Sequence, residues 1–125
     1  MSFAAPKQIS VASLWTEDVQ ATVRFYNEVI GLRLCPCEGY HMNPPHFDVG
    51  GAYLTILKGK SVLAQDAESF PVIALAVDDL DSAIERLKAH HIDLLKDVEE
   101  DLASRWVFFL DPGGNLIELA FWKEL

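Results

Sequence analysis

The sequence predicts an α+β fold in which one strand–helix–strands unit occurs twice. The order of predicted elements in residues 9–57 starts again at residue 72, and the turn glycines Gly50-Gly51 align with Gly113-Gly114. Identical residues meet at three aligned positions, namely Val11 with Val72, Leu14 with Leu75, and Asp18 with Asp79. Coincidence between two strand–helix starts is the alternative. Agreement in both element order and turn position favours a duplication.

The first copy opens with a strand and a capped helix. Residues 9–16 are rich in β-branched and aromatic residues without a breaker, which predicts a strand. Asp18 is a good N-cap, and apolar residues then recur on one helical face until Gly31, a residue typical of helix ends. Residues 32–37 are predicted to be extended and 38–45 to form a loop. Further strands are predicted at 47–49 and 52–57, around the glycine turn.

The second copy repeats this order. A strand is predicted at 72–77, and Asp79 caps a helix with one apolar stripe that closes at His90-His91. Residues 92–95 are predicted to be extended and 96–104 to form a charged loop. Strands at 105–110 and 116–122 are joined by the turn 111–114. The prediction is one domain over 1–125, with module one at about 7–60, a linker at about 61–69 and module two at about 70–125.

Composition excludes several classes of function. Half of the residues are hydrophobic, enough for a core without a metal or disulfide staple, and the net charge is -9. Nucleic acids and anionic membranes need basic patches, so neither is predicted as a partner. No apolar stretch approaches the roughly 20 residues of a membrane span. Without a predicted signal peptide, and with Cys35 and Cys37 unsuited to a disulfide, a cytoplasmic protein is predicted.

Three motifs carry a resemblance to a known family. They are Thr16-Glu17-Asp18 followed by Phe25-Tyr26 and Ile30-Gly31-Leu32, then Val77-Asp78-Asp79-Leu80, and Asp111-Pro112-Gly113-Gly114-Asn115-Leu116-Ile117-Glu118-Leu119. Over essentially its whole length the chain resembles the vicinal oxygen chelate superfamily, which includes glyoxalase I, extradiol dioxygenases, and fosfomycin- and bleomycin-resistance proteins. The resemblance implies two βαβββ modules. Their strands would form a curved eight-stranded sheet around one cavity, with the helices outside.

The resemblance also implies where a metal would be held. Enzymes of the superfamily use four His, Glu or Gln ligands, one at the start of each module's first strand and one on each module's last strand. The corresponding residues here are Val11, Thr55, Val72 and Glu118. Valine offers no lone pair, and a single carboxylate does not hold a divalent transition metal against water. We therefore expect neither a metal nor another cofactor.

Strand alternation predicts which residues line the cavity, because residues in phase with these positions face inward. The inward set is Val11, Ser13, Trp15, Tyr53, Thr55, Leu57, Val72, Ala74, Ala76, Leu116, Glu118, Ala120 and Trp122. Leu14, Ile56, Leu75, Ile117 and Leu119 should pack under the helices. The predicted ligand site takes Val11, Ser13, Trp15, Tyr53, Thr55, Val72, Glu118 and Trp122 from the strands. His41 and His46 join it from a loop at the cavity mouth.

Several of these residues have a second interpretation. Glu118 is a candidate catalytic acid or base, but the pattern slightly favours a structural carboxylate paired with Arg105 or a hydroxyl. Trp15 and Trp122 could instead fill a collapsed cavity or a dimer interface. Four plausible zinc ligands also occur close together in the sequence, namely Cys35, Cys37, His41 and His46. Their spacing is not that of a zinc finger, and coincidence is favoured.

The function predicted from the sequence is metal-independent binding of an apolar, aromatic or cationic organic molecule, as in bleomycin-resistance proteins. The alternative is a metal-dependent or Glu118-dependent lyase, isomerase or dioxygenase. A regulatory or interaction module without a ligand is a weaker third hypothesis. A homodimer is predicted, because the edges of the sheet need cover.

Overall fold

The computed structural model describes residues 4–36, 44–60 and 71–124. The described chain forms seven strands and two α-helices, and a π-helical segment continues the first helix. In order they are β1 (Val11–Thr16), α1 (Val19–Arg24), the π-helical segment (Phe25–Ile30), β2 (His46–Val49), β3 (Ala52–Lys58), β4 (Ile73–Ala76), α2 (Leu80–Ala89), β5 (Glu99–Glu100), β6 (Ser104–Leu110) and β7 (Leu116–Trp122). The predicted α+β class is confirmed.

The strands form two separate sheets, and the two sheets share one topology. Module one contains the order β1-β3-β2, and module two contains β4-β7-β6-β5. In each, the first strand runs parallel to the last, and the last is antiparallel to its other neighbour. The predicted curved eight-stranded sheet around one cavity is therefore not confirmed. The shared order supports the internal duplication read from the sequence.

The second strand of each module departs from its predicted form. In module one, the described part of the predicted strand 32–37 is reduced to one antiparallel bridge, between Leu34 and Phe47. The strand predicted at 92–95 is wrong, because the partner of β6 lies at Glu99–Glu100. Leu95 contributes one backbone bond to this edge, from its N to Phe108 O at 2.9 Å. In both modules the paired part of the second strand is thus shorter than the apolar sequence pattern predicted.

The helix boundaries agree with the predicted capping residues. Asp18 Oδ1 accepts a bond from Ala21 N at 3.0 Å, and Asp79 Oδ1 accepts one from Ser82 N at 3.0 Å. Gly31 ends the first helical segment with a φ of 90°, a left-handed conformation that glycine adopts without a Cβ penalty. Among the helices described, none has the length and apolar character needed to cross a bilayer.

One continuous core lies between the helices and the face of each sheet that the helices cover. Phe25 and Tyr26 of the π-helical segment are buried there, in tilted ring contacts with Phe109 and Phe47 respectively. The core also takes in the strand residues of even number in β1 and β3, and those of odd number in β6 and β7. The opposite face of each sheet carries no helix of the described chain.

The two modules are joined through the turn between β6 and β7. Asp111, which is buried, accepts a bond from Tyr26 Oη, and Asn115 Nδ2 donates to Trp15 O at 2.9 Å. Gly113 lies so close to β1 that an added Cβ would be 2.7 Å from Trp15 O. Away from the turn, the Arg86 guanidinium of α2 donates to Glu28 O. Module two therefore contacts both the first strand and the helical segment of module one.

Candidate functional site

Each sheet has one face under the helices and one open face, as strand alternation predicted. Leu14, Ile56, Ile117 and Leu119 belong to the buried core, and Leu75 packs against it. Val11 is 44% exposed on the other side of β1, and Trp122 is 63% exposed on that of β7. The predicted inward set therefore occupies the open faces of the two modules.

The open face of module one carries a row of polar side chains across its three strands. Ser13 lies beside Thr55, and His46 lies opposite Thr55 on the other side. Thr55 Oγ1 is 2.8 Å from Ser13 Oγ. Val11 and Tyr53 form the neighbouring pair along the same strands, and Trp15 with Leu57 forms the next. Five predicted ligand-site residues thus share this face with His46.

His46 was predicted to lie on a loop at the cavity mouth, but it begins β2 and is fully buried. Its ring contacts the Tyr53 ring edge-on, with 5.4 Å between centroids, and its Nδ1 is 3.3 Å from Pro44 O. The zinc hypothesis also involved Cys37 and His41, which lie outside the described residues. Cys35 is a free thiol. Its N donates to His46 O at 2.9 Å, so these two residues are joined through the backbone.

Glu118 occupies the middle of the open face of module two. It pairs with Ala74 on β4 and with Phe108 on β6. Within the described chain its carboxylate makes no hydrogen bond or ion pair, and partial burial, followed by repulsion from Glu99, raises its pKa above the ordinary value. The proposed pairing with Arg105 is wrong. Arg105 points toward the helix side of the sheet, where it binds Asp81 and Glu100.

Two aromatic residues on this face were not assigned from the sequence. Trp106 pairs with Ala120, and Phe108 pairs with Glu118, so both rings lie on the open side of β6. The sequence left the orientation of Trp106 undecided because β6 is aromatic or apolar on both faces. Pairing with β7 decides it, since directly opposed residues share a face. Glu99 pairs with Trp106 from the other side.

The four positions that would hold a metal do not fit one. Val11 and Val72 provide no donor atom, and the hydroxyl of Thr55 is engaged with Ser13. Glu118 remains as the one strong ligand of the set. No cluster of three or more His, Cys, Asp or Glu side chains that could hold a metal occurs in residues 4–36, 44–60 and 71–124.

A cavity of about 540 Å³ lies between the two modules, where β1 approaches the start of β4 and the turn between β6 and β7. We call it the junction cavity, and it is lined by Ser13, Leu14, Pro71, Ile73, Leu95, Leu110, Gly114, Asn115 and Leu116. Ser13 and Leu116 were predicted to face inward. Leu95, Leu110 and Asn115 were not assigned, and no local signal marks them because the cavity depends on how the modules pack. Leu95 and Leu110 are about half exposed at its rim.

Apart from Ser13, none of the predicted ligand-site residues that the structure describes lines this cavity. Val72 is 42% exposed just before β4, and Trp15 is half-buried near the end of β1. Glu118 follows Leu116 by two residues and therefore lies on the same face of β7. His41 lies outside the described residues. That these residues form part of a ligand site stays a prediction.

A family model described as Glyoxalase/Bleomycin resistance protein/Dioxygenase superfamily matches residues 8–119. A glyoxalase/dioxygenase from Nostoc punctiforme is similar in structure, with a TM-score of 0.78 and 21% identity over 99% of both chains. A search of curated proteins finds no match to the sequence.

Two further solved structures carry more specific names. A lactoylglutathione lyase from Agrobacterium tumefaciens has a TM-score of 0.70 and 22% identity, covering 94% of this chain and 95% of its own. A fosfomycin resistance protein from Mesorhizobium loti has a TM-score of 0.68 and 19% identity, covering 94% and 93%. At these identities the similarity concerns the fold.

Proposed function

Because the chain belongs to the glyoxalase/bleomycin resistance/dioxygenase superfamily, we propose that it binds a small organic molecule without a metal. The observation that carries this proposal is the junction cavity. Its volume of about 540 Å³ suits a small organic molecule, and its lining comes from both modules and is mostly apolar. The bound molecule would lie against Ser13 and Leu116, the two members of the predicted inward set that line the cavity.

Metal independence rests on the identity of the residues at the four family ligand positions. Neither Val11 nor Val72 can donate electrons to a metal, and the Thr55 hydroxyl is already bonded. Ligation by Glu118 alone would be too weak. The named relatives, a lactoylglutathione lyase and a fosfomycin resistance protein, therefore supply the fold rather than the chemistry for this proposal.

The open faces favour aromatic, apolar or cationic ligands. Trp15 lies on one face, and Trp106 and Trp122 lie on the other. Indole rings provide large stacking areas and attract cations. Glu118, which has no counter-charge among the described residues, would attract a positive group. None of these four side chains lines the junction cavity, so they would form a separate part of the proposed ligand surface along the same strands.

A Glu118-dependent lyase or isomerase is the second candidate, and the raised pKa of Glu118 is the observation that favours it. A carboxyl group with a raised pKa exchanges protons closer to neutral pH, as a general acid or base must. If wild-type protein slowly converts a bound ligand and Glu118→Gln does not, the result would support this enzymatic function. Binding without conversion supports the first proposal.

We also propose a homodimer in the cytoplasm. Val11, Val72 and Trp122 leave apolar surface exposed on the open faces, which a second copy would cover. The free thiol of Cys35 is compatible with a reducing compartment.

Binding is tested with a panel of aromatic, aliphatic and quaternary ammonium compounds. It is measured by tryptophan fluorescence and by the thermal unfolding temperature. Ligands should raise the unfolding temperature by mass action. Trp15→Ala should weaken every ligand because it removes contact area. Glu118→Gln should weaken cations more than neutral compounds, whereas Glu85→Gln, an exposed change on α2, should alter neither. A panel without any binder at millimolar concentration would refute the proposed function.

A further inference from the structure

Ser13 and Thr55 form a hydroxyl pair with unequal surroundings. Thr55 is 2% exposed, whereas Ser13 is exposed and lines the junction cavity. Their oxygens are 2.8 Å apart, and the Thr55 side chain makes no second hydrogen bond within the described residues. One member of the pair is therefore enclosed by protein, and the other faces the cavity.

The burial of Thr55 decides which hydroxyl donates. A buried hydroxyl without a bonded proton loses its hydration with nothing in return, so its proton points to the available acceptor. For Thr55 that acceptor is Ser13 Oγ. Ser13 then keeps its own proton for a further partner. Because its oxygen already accepts a bond, its proton is also a stronger donor than that of an isolated hydroxyl.

The other side-chain donor of the junction cavity is already committed. The amide nitrogen of Asn115 donates to Trp15 O at 2.9 Å and to Asp111 Oδ1 at 3.0 Å. Apart from Ser13 and Asn115, the lining residues have apolar side chains or, at Gly114, none. Ser13 therefore supplies the available side-chain donor in an otherwise apolar space.

We propose that Ser13 Oγ anchors a small, uncharged and largely apolar ligand by donating a hydrogen bond to its carbonyl or ether oxygen. Thr55 acts as a positioning residue, because it fixes the direction in which the Ser13 proton points. The inference rests on the proposed function and narrows it to a ligand class. It assigns the junction cavity to neutral oxygen acceptors, while cationic groups belong to the neighbouring face around Glu118.

The lack of charged side chains in the described cavity lining favours an uncharged ligand. No charged side chain lines the junction cavity as described, and the whole chain has a net charge of -9. A carboxylate or phosphonate would lose hydration without meeting a cation, and an ammonium group would meet no carboxylate. The concave shape and a volume of about 540 Å³ fit a small molecule better than a protein surface, which binds over a broad, shallow area.

The test compares acetophenone with ethylbenzene, two probes of similar shape of which only the first carries a carbonyl oxygen. Dissociation constants come from NMR chemical shifts of the full chain. Acetophenone should bind wild type more tightly than ethylbenzene does. Ser13→Ala should weaken acetophenone by about three- to tenfold, the value of one net hydrogen bond, and leave ethylbenzene nearly unchanged. Ser82→Ala, an exposed serine on α2, is the matched control.

Thr55→Val tests the positioning role, because it keeps the shape and removes the donated proton. It should weaken acetophenone less than Ser13→Ala does, and the double variant should bind like Ser13→Ala alone. Infrared spectra give a readout that packing does not move. The carbonyl stretch of bound acetophenone should shift to lower frequency in wild type and lose that shift in Ser13→Ala.

Two results would overturn the inference. Equal weakening of both probes by Ser13→Ala would mean that the serine contributes packing only. Failure of acetophenone to bind, or a bound carbonyl without a frequency shift, would show that Ser13 anchors no oxygen acceptor. Either result leaves the proposed function standing if other compounds of the panel bind. A change in molecular mass on Ser13→Ala would instead assign the cavity to a second copy and also refute the inference.

Discussion

Tyr26 Oη donates a hydrogen bond to Asp111 Oδ2 at 2.6 Å, between residues that are 85 positions apart. Tyr26 belongs to the π-helical segment of module one, and Asp111 opens the turn between the last two strands of module two. The other carboxylate oxygen accepts bonds from Gly113 N and Asn115 N, each at 2.9 Å. A buried carboxylate is thus held by its own turn and by the opposite module.

Tyr26→Phe should lower the free energy of unfolding by about 1–3 kcal/mol, because it leaves a buried carboxylate oxygen short of a donor. Urea unfolding measures the change. In the Asp111→Asn background the same substitution should cost less, since the charged acceptor has gone. Equal costs in both backgrounds would mean that Tyr26 stabilises the fold through packing alone.

Tyr26 should also resist ionisation. Burial, followed by the charge and the hydrogen bond of Asp111, raises the pKa of Tyr26 above the ordinary range of tyrosine. Absorbance titration should therefore show Tyr26 ionising only as the protein unfolds in alkali. Tyr26→Phe should remove amplitude from that unfolding phase, and loss from an earlier phase would contradict the buried bond.

Gly113→Ala should destabilise the protein by about 1–3 kcal/mol, because overpacking forces the surrounding backbone to move. The added Cβ would lie 2.7 Å from Trp15 O and 2.8 Å from Thr16 Cβ. Gly114→Ala is the comparison, since its Cβ would meet nothing within 4 Å and its cost comes from a φ of 83° alone. Thermal unfolding should rank Gly113→Ala below Gly114→Ala, and the reverse order would argue against the close approach to β1.

Glu118 should make stability depend on pH with a definite sign. Its pKa is raised in the fold above the ordinary value of 4.5, so the native state holds the proton more tightly than the unfolded chain. Stability is consequently lost as the pH rises from the unfolded pKa through the folded one. Glu118→Gln should gain stability relative to wild type over that interval, by less than about 1 kcal/mol because water still reaches the group.

The cause of this raised pKa is separately testable. Burial comes first, and repulsion from Glu99 comes second. Glu99→Gln should therefore lower the midpoint at which the Glu118 carboxyl carbon titrates by NMR. A midpoint that stays unchanged would leave burial as the whole cause.

Restoring the missing ligands tests the strand register. Val11→His, Thr55→Glu and Val72→His together would place four donors at the family positions, with Glu118 as the fourth. Zinc should then raise the unfolding temperature of the triple variant, while wild type should respond neither to zinc nor to a chelator. A stoichiometric metal in wild type would overturn the metal-independent proposal, and a silent triple variant would show that these positions do not converge.

A homodimer should give a light-scattering mass of twice the chain mass of 14.0 kDa. Trp122→Lys should shift the protein toward the monomer, because it places a charge on an apolar residue that is 63% exposed in the single chain. Lys88→Glu on the outer surface of α2 is a control for altered charge. A wild-type monomer at micromolar concentration would contradict the proposed assembly.

The sequence predicted most of what depends on local pattern. Asp18 and Asp79 cap their helices, and alternation along β1 and β7 correctly separated Leu14 and Leu119 from Val11 and Trp122. These features follow from neighbours along the chain. The period of two leaves little choice once one side of a strand is apolar and buried.

Features that depend on distant partners could not be predicted in this way. The sequence does not indicate which side of β6 faces the core, because Trp106 and Val107 are neighbours and both apolar. The pairing of β6 with β7 determines which of them faces the core. Arg105 was considered, besides a hydroxyl, as a partner for Glu118, but it lies on the opposite side of the sheet. The junction cavity likewise needs the packing of the modules, which no single segment encodes.

The bond between Tyr26 and Asp111 is found on one side of the internal repeat only. The residues that align with them are Leu87 and Asp48, and a leucine cannot donate to a carboxylate. Asp48 instead accepts a bond from Gly51 N within its own turn. Two copies of the second half would therefore lack this bond, because Leu87 offers no donor, whereas two copies of the first half would still contain a tyrosine and an aspartate at the two positions. The donor of the bond comes from the first half alone, so the two halves of the repeat are not interchangeable at this contact.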